Sequence, residues 1–200
     1  LKFKNDFINA YNNRSIAYIK CNENIKAIED CNFVINIQSN FVSAIINKGI
    51  ALKNLKHFDK AIDCFKDAIR IDENNSEVYN NLGNVFKDKG DKDQAIKFYN
   101  KSISLNQKNS DAYYNRGISL HETGEYADCI KSLEKALYLN PNMNYLIGKI
   151  HHSKMFLCDW KDFDSFNNKI VKIIKDGKIL IDPFILLSLI DDAELQKINT

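Results

Sequence analysis

Residues 76–109 read SEVYNNLGNVFKDKGDKDQAIKFYNKSISLNQKN, and two features of this stretch decide the fold. Apolar and small residues recur at spacings of three and four, at Tyr79, Leu82, Gly83 and Phe86 and again at Ala95, Phe98, Tyr99 and Ser102. That is the period of a helix, where a strand would alternate every second residue. Between the two runs stands Lys89-Gly90-Asp91, whose glycine stops a helix because it can turn the chain where other residues resist. The stretch predicts a helix, a tight turn and an antiparallel helix.

Working outward, the same unit repeats without insertion. Gly83 has Gly49 before it and Gly117 after it, each 34 residues away, with Ser15 one period further forward. The frame is therefore 8–41, 42–75, 76–109 and 110–143. Small residues hold position 8 of the unit (Ser15, Gly49, Gly83, Gly117), position 20 (Ala27, Ala61, Ala95, Cys129) and position 27 (Val34, Ala68, Ser102, Ala136). Larger ones hold position 4 (Tyr11, Ile45, Tyr79, Tyr113) and position 24 (Cys31, Phe65, Tyr99, Leu133). Thr123-Gly124-Glu125 and Asn140-Pro141-Asn142 supply further helix stops. A lone helix pair cannot bury both its faces, so successive units must stack and cover one another.

Composition agrees. Apolar residues make up 44% and charged residues 27%, ordinary for a globular chain. Two prolines and seven glycines are too few for a β fold built on frequent turns. With 28 basic and 26 acidic residues the net charge is +2, which sets up no field toward nucleic acid or an anionic membrane. The five cysteines, Cys21, Cys31, Cys64, Cys129 and Cys158, form no CxxC pair, and the expectation is reduced, buried thiols in a cytoplasmic protein. No apolar run reaches the roughly 18 residues of a transmembrane helix, and Leu1 opens no signal peptide. The front end reads as cut, with residues 1–7 as the tail of a preceding repeat.

The pattern over residues 8–143 resembles the tetratricopeptide repeat (TPR), whose marks are the small residues at positions 8, 20 and 27 and a terminal proline. Two departures stand out: position 7, usually leucine, is Arg14, Lys48 and Arg116 in three units, and position 32 is proline only at Pro141. The resemblance implies an all-α, right-handed superhelical solenoid with a concave groove lined by the first helix of each unit. It also implies that positions 2, 5, 6, 9, 12 and 13 face a bound peptide. Position 6 is Asn13, Asn47, Asn81 and Asn115, four identical amides in register. Each offers a donor and an acceptor, the complement of a peptide unit, so the ladder could hold an extended chain by its backbone. Asn12, Asn80, Asn84, Lys53, Lys87, Tyr114 and His121 complete the expected peptide-binding set. Lysines toward the front and Asp88, Asp111 and Glu122 toward the back would orient a ligand. A clamp for a terminal carboxylate is disfavoured, because Asp111 and Asn115 stand where its last basic pair belongs.

From Asn144 the period fails. Asp162 can cap a helix with the stripe Phe163, Phe166, Ile170, Ile173 and Ile174 ending at Asp176-Gly177, and Asp182-Pro183 can open another over 184–190. This helical segment, 144–200, would cap the last repeat. His152, Lys154, Met155, Cys158-Asp159-Trp160, Pro183-Phe184, Leu186-Leu187, Asp191-Asp192 and Leu195-Gln196 resemble the junction of O-GlcNAc transferase-like and SPINDLY-like proteins, where repeats lead into a nucleotide-sugar glycosyltransferase domain. That resemblance implies a glycosyltransferase domain of the same parent chain as a partner. Nothing in these residues supplies catalysis. Adjacent His151 and His152 point about 100° apart on a helix and share no metal, Met155, Phe156 and Trp160 read as core packing, and no phosphate loop, carboxylate pair or nucleophile motif occurs. Neither metal nor cofactor is expected. Two functions compete: the substrate-recognition arm of a protein O-glycosyltransferase, and a free-standing scaffold for complex assembly.

Overall fold

The computed structural model describes residues 2–143, 145–161, 163–165, 168 and 171–172. Its order is α1 (Lys2–Lys20), α2 (Asn24–Ile37), α3 (Val42–Asn54), α4 (Phe58–Ile71), α5 (Ser76–Asp88), α6 (Lys92–Leu105), α7 (Ser110–Thr123), α8 (Tyr126–Leu139) and α9 (Leu146–Phe156). The described residues include no strand. Contacts divide the chain into two compact units, Leu1–Gln107 with α1 to α6 and Lys108–Thr200 with α7 to α9.

Each expected repeat is a helix pair, and position 8 shows why it must be small. A Cβ placed on Gly49 would lie 2.7 Å from Cε1 of Phe65, one on Gly83 2.4 Å from Cε1 of Tyr99, and one on Gly117 2.5 Å from Cδ2 of Leu133. A large side chain at position 24 thus occupies the space that position 8 gives up, and Phe65, Tyr99 and Leu133 are wholly buried. The first repeat solves the same contact the other way round. Ser15 carries a Cβ there, and its partner at position 24 is the slender Cys31, also wholly buried. Burial pushes the Cys31 thiol up to about 11.

Position 7 meets position 23 in the same manner, which explains two of the three missing leucines. Arg14 grips Asp30 with two bonds of 2.7 Å and stacks over the rings of Tyr11 and Tyr18, at 4.6 and 5.6 Å. Arg116 donates from Nε to Ser132 Oγ at 3.1 Å and lies over Tyr113. Where leucine remains, Leu82 is buried. The charged versions keep the helix pair together by hydrogen bonds and ring stacking in place of an apolar contact.

Helix starts follow the residues available. Asn75 accepts from the Val78 amide, Asp91 from that of Gln94 and Asn109 from that of Ala112, satisfying one orphan donor each. In the Leu1–Gln107 unit, Ser102 Oγ donates to the Ser76 carbonyl at 2.7 Å, tying the end of α6 to the start of α5. In the Lys108–Thr200 unit α9 packs on α8, with Cys129 Sγ 3.5 Å from Ser153 Oγ and with Ile147, Ile150 and His151 buried.

Residues 2–7 are helical and continuous with the rest of α1. Two expectations differ from what forms. Only Cys31 and Cys129 are buried thiols; Cys21 and Cys158 are exposed and all five are free. Phe156 and Trp160 are half-exposed, at 53% and 51%, because they meet other rings edge-on or face-on at the surface rather than within a core. Of the helix expected after Asp162, Phe163–Ser165 are helical. Phe166, Ile170, Ile173, Ile174, Pro183, Phe184, Leu186, Leu187, Asp191, Asp192, Leu195 and Gln196 lie outside the described residues.

Candidate peptide-binding face

The four position-6 asparagines do not share one environment. In the Leu1–Gln107 unit, Asn13 is exposed, Asn47 is buried and Asn81 is half-buried. Asn47 has its donor committed: Nδ2 reaches Asn12 Oδ1 at 3.0 Å and Ser15 Oγ at 3.3 Å, crossing from α3 to α1. Asn12 and Asn47 are each 8% exposed, so this pair is a seam between the first and second repeats. Asn84, also in the expected set, accepts from the Tyr99 hydroxyl at 2.9 Å and ties α5 to α6. Asn80, Lys53 and Lys87 are half-buried. Lys53 Nζ lies 3.8 Å from an Asp88 carboxylate oxygen, a loose pair that leaves most of the ammonium's donors for other use.

The Lys108–Thr200 unit presents rings instead. Asn115, Tyr114 and His121 are half-buried on α7. Tyr114 meets Tyr145 edge-on at 6.0 Å, and burial raises both phenols, that of Tyr145 with a further push from Asp111. His121 stacks on His152 at 5.6 Å and touches Tyr126 and Phe156 at 5.4 and 6.0 Å. Burial lowers the His121 imidazole, and the charges of Lys149 and His152 lower it further. His151 is buried against Phe163 and is lowered by burial and by Lys154. The described residues hold no group of three or more His, Cys, Asp or Glu side chains placed to bind a metal.

Sequence reading missed Ser15, Tyr99, Tyr145 and Phe156 as partners of the expected site. Ser15 and Tyr99 sit at repeat positions 8 and 24, which are read as spacers and fillers, and their hydroxyls are invisible to a size pattern. Tyr145 and Phe156 lie after the repeat ends, where no register points at α7.

Models of the TPR match residues 51–90 and 83–124, and a tetratricopeptide repeat model matches 110–143. Residues 51–143 carry tetratricopeptide repeats. Such repeats imply a protein-interaction scaffold, and the fold is typically non-catalytic. Among solved structures, MamA from Desulfovibrio magneticus RS-1 is 18% identical with a TM-score of 0.70, over 86% of this chain and 97% of that one. PilF of Pseudomonas aeruginosa gives a TM-score of 0.77 at 14% identity, over 98% of this chain and 88% of that one. YrrB, described as a TPR protein with an unusual peptide-binding site, gives 0.64 at 16%, over 89% of each chain. At these identities the likeness is one of fold. No curated protein matches the sequence. No described helix is long and apolar enough to cross a membrane.

Proposed function

We propose that the repeats bind extended peptide segments of partner proteins on the first-helix faces, with Asn13, Asn81, Lys53 and Lys87 as contacts in the Leu1–Gln107 unit and Asn115, Tyr114 and His121 in the other. The carrying observation is the contrast within position 6. Asn47 spends its donor on Asn12 and Ser15 inside the protein, while Asn13 is exposed and Asn81 half-exposed at the same repeat position. Side-chain amides on a rigid helix can hold a backbone without selecting its side chains, and the nearby lysines favour acidic stretches. Asn12, Asn47 and Asn84 set the spacing of the helices that carry the contacts.

The test is fluorescence anisotropy with a panel of unrelated fluorescein-labelled peptides, alongside thermal melts. Asn81→Ala should weaken every binding peptide by about 0.5–1.5 kcal/mol, the net value of one hydrogen bond, with little change in melting. Asn47→Ala should instead lower stability, by about 1–3 kcal/mol, because it strips the buried Asn12 carbonyl of its donor. Unchanged affinity in both Asn13→Ala and Asn81→Ala would sink the backbone-holding role.

A finer reading makes this surface the substrate-recognition arm of an O-GlcNAc transferase-like protein. It is supported by Cys158-Asp159-Trp160 following directly on α9, with Trp160 half-exposed and edge-on to Phe163 at 5.3 Å. The alternative is a free-standing scaffold, supported by the repeats alone. Sequencing the gene downstream separates them: nucleotide-sugar-binding lobes after Thr200 favour the arm, and a reading frame that closes without them leaves the scaffold.

A further inference from the structure

At the turn edge of the Leu1–Gln107 unit, a pocket of about 550 Å³ is lined by Asn22, Lys53, Asn54, Lys56, Phe58 and Asp88. Its walls are the last residues of α3 and α5 and the turns that follow α1 and α3. The volume falls inside the roughly 300–1,000 Å³ range of clefts that take ligands. A chain of amides fixes one wall. Asn24, only 4% exposed, donates from Nδ2 to the Asn22 carbonyl at 3.2 Å and to Asn22 Oδ1 at 2.9 Å, and its own Oδ1 accepts from Asn54 Nδ2 at 3.0 Å. The carbonyl ends of α3 and α5 are closed by their own turns: the His57 amide reaches the Leu52 carbonyl and the Asp91 amide that of Phe86, both at 2.9 Å. What the pocket offers a ligand is therefore set by its side chains.

Those side chains favour an anion. Lys53 Nζ stands 3.8 Å from an Asp88 carboxylate oxygen, too far for a hydrogen bond, although the Lys53 side chain is only 23% exposed. An ammonium drawn that far out of water gains from an oxygen at closer range. Lys56 brings a second ammonium, which pairs with no described carboxylate. Two ammoniums against one carboxylate leave the lining with one positive charge in excess. That matches a singly charged carboxylate, whereas a phosphoryl dianion would overfill the site and repel Asp88. Lys56 also holds φ 61°, where the matching turns use Asn22, Gly90 and Gly124. A lysine kept in a conformation that glycine adopts without strain, at the wall of a pocket, points to work done by its side chain. We infer that this pocket selects one acidic side chain, an aspartate or glutamate, of a peptide lying on the first-helix faces, with its carboxylate held by the ammoniums of Lys53 and Lys56. This rests on the reading that those faces bind a peptide, and adds where along the peptide a negative charge is chosen.

The probes are short fluorescein-labelled peptides of alanine and serine, amidated at the C-terminus so that no terminal carboxylate takes part, with glutamate, glutamine or phosphoserine at the centre. The glutamate peptide should bind about threefold to tenfold more tightly than the glutamine peptide, by a margin that shrinks as salt is raised. In Lys56→Gly the margin should fall below about twofold, because Lys53 and Asp88 then cancel, while urea unfolding shows a fold at least as stable as before. Asp88→Asn, which releases Lys53, should widen the margin. Asn81→Ala should weaken the glutamate and glutamine peptides alike and leave their ratio in place. The inference is overturned if glutamate and glutamine peptides bind equally, if the phosphoserine peptide binds more tightly than the glutamate one, or if the margin survives Lys56→Gly. The two readings fail separately. A margin that depends on Lys56, with no effect of Asn13→Ala or Asn81→Ala, keeps the pocket and removes the asparagine contacts, whereas saturable binding by none of the peptides removes both.

Discussion

Among the four repeat turns, Lys56 is the residue least suited to its own backbone. Position 15 of every repeat is left-handed: Asn22 at φ 60°, Lys56 at 61°, Gly90 at 87° and Gly124 at 84°. The turn requires it, because the His57 amide must reach back to the Leu52 carbonyl at 2.9 Å and the Lys56 amide to that of Lys53 at 2.8 Å. Glycine meets this demand freely and asparagine at some cost, whereas lysine loses about 1–2 kcal/mol to the clash of its Cβ. Lys56→Gly relieves that strain and gives back about 0.4–1 kcal/mol through a looser unfolded chain. The expected result is a net gain of about 0.5–1 kcal/mol in urea unfolding, and a loss of stability would show that the Lys56 side chain has a compensating contact. Gly90 and Gly124 announce the turn in the sequence, but Lys56 carries no turn signature of its own. Only the register, one period ahead of Gly90, points to it.

Among the elements, α9 is the one whose attachment is expected to weaken as pH falls. His121 on α7 faces Tyr126 of α8 and His152 and Phe156 of α9, with Lys149 of α9 and Glu122 of α7 as the charges it feels. His151 lies under Phe163, with Lys154 as its charged neighbour. Both imidazoles are lowered in the folded state, so the unfolded chain, with histidines near 6.5, binds more protons than the native one as pH falls. Their contribution is therefore complete above about 6.5 and is lost as pH drops through that value toward the lowered one. Between about pH 7.5 and 5.5 the melting temperature should fall more steeply for the natural chain than for His121→Phe, which keeps the ring contacts and cannot take a proton. Equal slopes in the two melting series would mean that protonating His121 does not loosen this helix. None of this geometry was legible in the sequence: α9 lies outside the 34-residue register, so no period says which of its residues meet α7.

For the molecule as a whole, the register decided the architecture and the chemistry of individual contacts stayed hidden. Gly49, Gly83 and Gly117 marked the units because a steric demand repeats at each one. Asn13, Asn47, Asn81 and Asn115 looked equivalent because the period is blind to burial, and Asn47 differs only because Asn12 and Ser15 happen to lie beside it. The same modular logic sets how damage should spread. In a stack of repeats each pair is held by its own core and its neighbours, so a local defect need not melt the chain everywhere. Gly49→Ser puts a Cβ 2.7 Å from the ring of buried Phe65 and should cost about 1–3 kcal/mol in overpacking. Native-state hydrogen exchange should then quicken in α3 and α4 and in the helices packed on them within Leu1–Gln107, by about five- to 100-fold. Protection in α7 and α8 should hold. Adding Phe65→Cys recreates the Ser15 and Cys31 pairing of the first repeat, so the double variant should lose less stability than the sum of the two single changes, by about 0.5–3 kcal/mol. Uniformly faster exchange across both units would show that the chain unfolds as one cooperative body, and simple additivity would show that positions 8 and 24 do not compensate each other.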